Sequence, residues 1–152
     1  MSERGDKAYE LFKNGYNCAQ AVAGAFSDLL GMDMDTVAKL ASGFGGGMGR
    51  MREVCGTFSG IVMVVSTLYG YSDPKDTANK TEVYSRIQEL AEQFRKDNCS
   101  IICRELLGIS KPENSPVPEQ RTSEYYKKRP CPELCRYAAD LLERYIEQHP
   151  VK

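Results

Sequence analysis

The stretch from Ser42 to Gly70 reads SGFGGGMGRMREVCGTFSGIVMVVSTLYG. Its two halves follow opposite rules. Ser42 to Arg50 holds five glycines, whose conformational freedom forbids a regular element there. From Cys55 to Tyr69 the chain is uncharged, and Gly70 ends the run. Ile61-Val62-Met63-Val64-Val65 is β-branched enough to pass for a strand in isolation. Length, and the lack of any partner strand in the sequence, predict a helix over 55–69 instead. No charge occurs between Glu53 and Asp73, and a membrane helix needs ~20 apolar residues. This stretch, however, carries Cys55, Gly56, Thr57, Ser59, Gly60, Ser66 and Thr67, so it reads as a helix buried on all sides within protein.

Working outward, helix signals recur and strand alternation is scarce. A first helix is expected from Asp6 to Lys13, stopped at Asn14-Gly15. Asn17 caps a second, with Ala21, Val22, Ala25, Phe26, Leu29 and Leu30 at helical spacing and Gly31 as its stop. Asp33 or Asp35 caps a short helix holding Val37, Leu40 and Ala41. Asp73-Pro74 is expected to start a long amphipathic helix to Lys96, with Val83, Ile87, Leu90, Ala91 and Phe94 on one stripe. Cys99 to Leu107 reads as a shorter helix, and Lys111 to Pro118, with three prolines, as a loop. Pro130-Cys131-Pro132 opens the last helix. The expectation is an all-α single domain over residues 1–152. It would be a compact bundle of about six to seven helices, with a glycine-rich loop before a buried central helix.

The 152 residues are 41% hydrophobic and 27% charged, with net charge -1. Nucleic-acid binding needs a basic field, which this balance lacks. The opening MSERGDKAYE has no apolar stretch, so a cytoplasmic protein without secretory signal or membrane insertion is expected. In a reducing compartment, six cysteines point to metal binding or catalysis more than to disulfides. Any one of them could instead pack as a small hydrophobe.

Their positions argue for chemistry. Cys18 follows the cap Asn17, Cys55 lies where the glycine loop turns into the buried helix, and Cys131 sits at the cap of the last helix. At a helix N-terminus the macrodipole and unpaired N–H groups favour negative charge, so a lowered thiol pKa is expected. Thiolate is both the nucleophile of disulfide exchange and a ligand of soft metals. Cys99 and Cys103 are four apart, as are Cys131 and Cys135, and each pair would share a helix face. No Cys-x-x-Cys is present, which removes thioredoxin-type and c-type haem motifs. His149, the one histidine, reads as solvated. Arg50-Met51-Arg52-Glu53 stands where a Walker loop needs Gly-Lys-Ser/Thr, and a helix precedes the loop where a dinucleotide site needs a strand. Gly46, Gly47 and Gly49, with Gly56 beyond, are instead candidate cofactor-binding positions, allowing close backbone approach around Cys55. Gly56 and Gly60 also suit close helix packing.

The run Cys55-Gly56-Thr57-Phe58-Ser59-Gly60 resembles the Cys-Gly-Ala-x-x-Gly element of small redox-active proteins named for their C…GCAxxG…C…C pattern. Gly46-Gly47-Met48-Gly49 fits that family, as do Asn17-Cys18-Ala19-Gln20-Ala21-Val22 and Cys103-Arg104-Glu105-Leu106-Leu107-Gly108. Cys131 ahead of Ala138-Ala139 completes the order. The resemblance implies redox activity with Cys18, Cys55, Cys103 and Cys131 as the family cysteines, leaving Cys99 and Cys135 as second-rank extras. Thr57 stands where the family has alanine, which puts a hydroxyl near a sulfur.

Three functions follow. The first is an Fe–S protein for electron transfer, ligated by the four family cysteines. The second is a metal-free dithiol/disulfide protein exchanging with a redox partner protein or small thiol. The third is a helical interaction module closed by structural zinc, although zinc sites usually show close Cys-x-x-Cys pairs. A homodimer is compatible with the long amphipathic helix and nine tyrosines.

Overall fold

The buried helix lies at the centre of the computed structural model, which describes residues 2–109 and 115–151. This helix, α5, runs Gly56–Tyr69 with Cys55 as its cap residue. Ile61, Val64 and Val65 are fully enclosed, so the β-branched run serves as core of a helix, but Ser66 and Thr67 are exposed, so the helix is not buried on all sides as expected. The chain around it forms α1 (Glu3–Lys13), α2 (Cys18–Gly24), α3 (Ser27–Leu30), α4 (Met34–Ala41), α6 (Thr77–Asn98), α7 (Cys103–Leu106), α8 (Ser123–Lys128) and α9 (Cys131–Gln148). Among the described residues these are nine α-helices with no strand, six of them of seven residues or more. A single 3₁₀ turn, Ser42–Phe44, follows α4. No helix among the described residues is long and apolar enough to cross a membrane.

Helix α1 packs along α9, α2 against α5, and both α2 and α5 against α9. Phe12, Val22, Phe26, Ile61, Leu90, Phe94 and Leu142 fill the core between them. Phe94 of α6 meets Phe58 edge-on, with centroids 5.9 Å apart, and Tyr137 at 5.4 Å. Gly60 has no room for a Cβ, which would lie 2.8 Å from the Val22 Cβ, so its packing role is real.

Several expected boundaries move. Helix α1 begins three residues early because the Ser2 hydroxyl accepts the Gly5 N–H at 2.9 Å. The helix expected from Asn17 to Gly31 breaks at Ala25–Phe26 into α2 and α3. Asp73-Pro74 makes a turn, not a helix start: Asp73 accepts the Lys75 N–H at 2.9 Å, and Asp76 caps α6 through the Asn79 N–H at 3.1 Å. The helix expected over 99–107 shrinks to Cys103–Leu106, because Cys99 ends α6 in left-handed backbone at φ 75°. Helix α8 was not expected. Of the proline loop, Lys111 and Pro112 lie outside the described residues, and 115–118 is irregular.

Candidate redox site

Four helix starts converge on one cavity. Cys18 is the first residue of α2, Cys55 caps α5, Cys103 opens α7 and Cys131 opens α9. All four line a cavity of about 340 Å³. The sequence placed three cysteines at helix starts; α7 adds Cys103 as the fourth.

Local rules explain each position. Asn17 and Gln20 form a reciprocal capping box, both bonds 2.9 Å, which fixes Cys18 one residue inside the helix. Pro132 follows Cys131 in the first turn, where its missing N–H costs nothing. Cys55 and Cys103 are brought together by a short antiparallel bridge between Val54 and Ile102. The Cys55 N–H donates to the Ile101 carbonyl at 2.7 Å, and the Cys103 N–H to the Glu53 carbonyl at 2.6 Å. Two such bonds lock cysteines 48 positions apart in sequence onto adjacent backbone.

The glycines act through space. At Gly47 a Cβ would lie 2.7 Å from both the Arg52 Cα and the Cys103 Cβ, and at Gly56 3.0 Å from the Cys18 Cβ. At Gly46 it would meet Arg50 at 2.8 Å, whereas Gly49 has open space. Gly46, Gly47, Gly49 and Gly56 all line the cavity, together with Gly45.

Burial overturns the expected acidity. Burial pushes the Cys55 thiol up to about 11, against a weaker lowering by Thr57, whose Oγ1 lies 3.1 Å from the sulfur. Cys18 receives a lowering hydrogen bond from Cys131, but its hydrogen bond with Cys135 and its burial leave it raised well above the ordinary thiol. Cys131 is raised chiefly by Cys18, and Cys135 by burial. Cys103 is also raised by burial, with Arg52 opposing. Removing a thiolate from water costs more here than the partial charge of a short helix start returns. The lowered pKa expected from sequence is therefore corrected.

The second-rank cysteines separate. Cys99 is exposed at the end of α6 and shares no helix face with Cys103. Cys135 is fully buried beside Cys18. Cys131 also neighbours Cys18, so of the two pairs expected to share a helix face only Cys131 and Cys135 lie on one helix. Among the described residues, no three Cys, His, Asp or Glu side chains gather to hold a metal ion. His149, expected to be solvated, is instead half-buried and stacks on Tyr145 with centroids 4.1 Å apart.

Two arginines escaped the sequence reading. Arg52 is 7% exposed and places Nη1 3.8 Å from the Cys103 sulfur. Arg121 covers Phe12 at 4.0 Å and donates to the carbonyls of Phe12 and, at 2.7 Å, Tyr16. It pins residues 116–121 over the cavity. Their charge was legible, but the left-handed turn and the lid that aim them were not.

Of the comparisons with known proteins, one finds a match. Residues 16–145 match the family model described as "Putative redox-active protein (C_GCAxxG_C_C)". No curated protein and no solved structure matches the chain. The matched span runs from just before Cys18 to beyond Cys131, and the chain belongs to the C_GCAxxG_C_C family of redox-active proteins.

Proposed function

We propose that the cavity holds an Fe–S cluster through Cys18, Cys55, Cys103 and Cys131, and that the protein carries electrons. The observation that carries this reading is the convergence of four thiols from four helix starts on one cavity of about 340 Å³. Four cysteine sulfurs are the usual ligand set of such clusters.

When bound, the cluster supplies storage of one electron at a time. The chain's residues would hold it. Gly46 and Gly47 let the loop backbone approach, and Arg121 ties down the covering segment. Each ligating thiol must release its proton, so loading is favoured by rising pH. A redox partner protein is the expected electron donor or acceptor. Anaerobic incubation with iron and sulfide tests the reading. Broad visible absorption that bleaches with dithionite is expected; a colourless protein without iron or sulfide would sink it.

One observation favours a second reading. The Cys18 thiol meets those of Cys131 and Cys135, a pairing suited to a reversible disulfide. Two thiols would pass two electrons and two protons to an incoming disulfide, releasing two small thiols. Buried, protonated thiols exchange slowly, which places this reading second. Thiol counts after glutathione-disulfide treatment decide it: two fewer thiols support it, and an unchanged count removes it.

A further inference from the structure

Met48, Arg50 and Arg52 all adopt left-handed backbone, with φ of 68°, 64° and 60°. Each such residue costs about 1–2 kcal/mol when it is not glycine. Three within five positions is a strained loop, and strain of this kind is kept where it positions something. What this loop positions is a guanidinium. The Arg52 N–H bonds the Gly46 carbonyl at 3.1 Å, and the Arg52 carbonyl accepts the Arg104 N–H at 3.2 Å. The side chain then turns inward, 7% exposed, with Nη1 3.8 Å from the Cys103 sulfur on the wall of the four-cysteine cavity. Gly47 makes the approach possible, since any Cβ there would strike the Arg52 Cα and the Cys103 Cβ at 2.7 Å.

We propose that Arg52 is a positioning residue of the redox site, holding the Cys103 sulfur and stabilising the additional negative charge of the reduced state. The inference rests on the cluster reading. On reduction one electron enters from an external donor, no bond is made or broken, and the site's charge falls by one. A fixed cation beside a sulfur ligand favours the more negative state, and low local dielectric strengthens that preference. Arg52 thereby raises the potential at which the site accepts an electron.

The test compares reconstituted wild type, Arg52→Met and Arg52→Lys by redox titration of the visible absorption, with iron measured per chain. Methionine bears the same backbone cost but no charge. In Arg52→Met the reduced-to-oxidised ratio at a fixed solution potential is expected to fall about tenfold, equivalent to about 59 mV for one electron. Arg52→Lys is expected to recover part of it, keeping charge without the planar fork. If the loaded fractions of all three share one potential, Arg52 is merely structural and the proposal is overturned, whatever the iron content. Iron-free protein gives a separate arm: iodoacetamide labelling of Cys103, read by peptide mass at one pH. Labelling about tenfold slower in Arg52→Met supports the hold of Arg52 on this sulfur, and equal rates overturn it. A wild type that takes up no iron or sulfide sinks the cluster reading instead, and the labelling arm alone then judges Arg52.

Discussion

At Gly47 the backbone has φ 73°, and a Cβ would lie 2.7 Å from the Arg52 Cα, the Cys103 Cβ and the Glu53 nitrogen. Two of those neighbours are backbone and cannot swing aside. Gly47→Ala is therefore expected to lose about 2–3 kcal/mol in urea unfolding, from left-handed strain plus overpacking. Gly49→Ala, with open space around it, is expected to lose only the strain part, about 1 kcal/mol. Cys99 gives the opposite case. It ends α6 at φ 75° where glycine is the natural occupant. Cys99→Gly is expected to raise stability by up to about 1 kcal/mol. This scale was only half legible in the sequence. The resemblance marked the four cavity cysteines and set Cys99 apart, but no pattern shows that Arg52 takes a left-handed conformation. The departure at Thr57 from the family's alanine did mark a hydroxyl beside a sulfur, and its Oγ1 lies 3.1 Å from that of Cys55.

Between elements, the sequence read type well and ends poorly. Caps that act within four residues, such as Asn17 with Gln20, were visible because both partners are local. The bond pair that joins 52–55 to 101–104 was not, since it depends on where two distant segments meet. For the same reason the sequence pattern points to a helix from Cys99, whereas α7 starts at Cys103. Arg4 of α1 and Asp28 of α3 form another distant pair, a fork of 2.7 and 2.9 Å. Its hydrogen bond from Arg4 holds the Asp28 carboxyl down to about 2. A depressed carboxylate stabilises the fold above its unfolded pKa of about 3.9, and that contribution disappears as pH falls through the folded value. Because Asp28 is largely exposed, Asp28→Asn is expected to cost only about 0.5 kcal/mol at neutral pH. The gap from wild type should close between about pH 4 and pH 2, as acid unfolding curves would reveal.

For the molecule as a whole, burial governs both stability and chemistry. The Cys55 thiol is raised to about 11 by its enclosure, and Cys18, Cys103, Cys131 and Cys135 shift the same way. A group whose folded pKa is raised contributes fully below its unfolded value, near 8.5 for a thiol, and that contribution is lost as pH rises through the folded one. The metal-free protein is thus expected to lose stability between about pH 8.5 and pH 11, on the order of 3 kcal/mol from Cys55 alone. Cys55→Ala should flatten that decline. The all-α architecture was legible from periodicity because a helix face is a local pattern. The enclosure of the thiols was not, since it arises from α2, α7, α9 and the 116–121 segment closing together.

The central claim is that four cysteines act as one ligand set, and iron and sulfide content across single Cys→Ser variants tests it most directly. After anaerobic reconstitution, changing Cys18, Cys55, Cys103 or Cys131 is expected to remove most of the bound iron and sulfide, while Cys99→Ser keeps the wild-type content. Equal iron in all five variants, or its loss only with Cys99, would contradict the account.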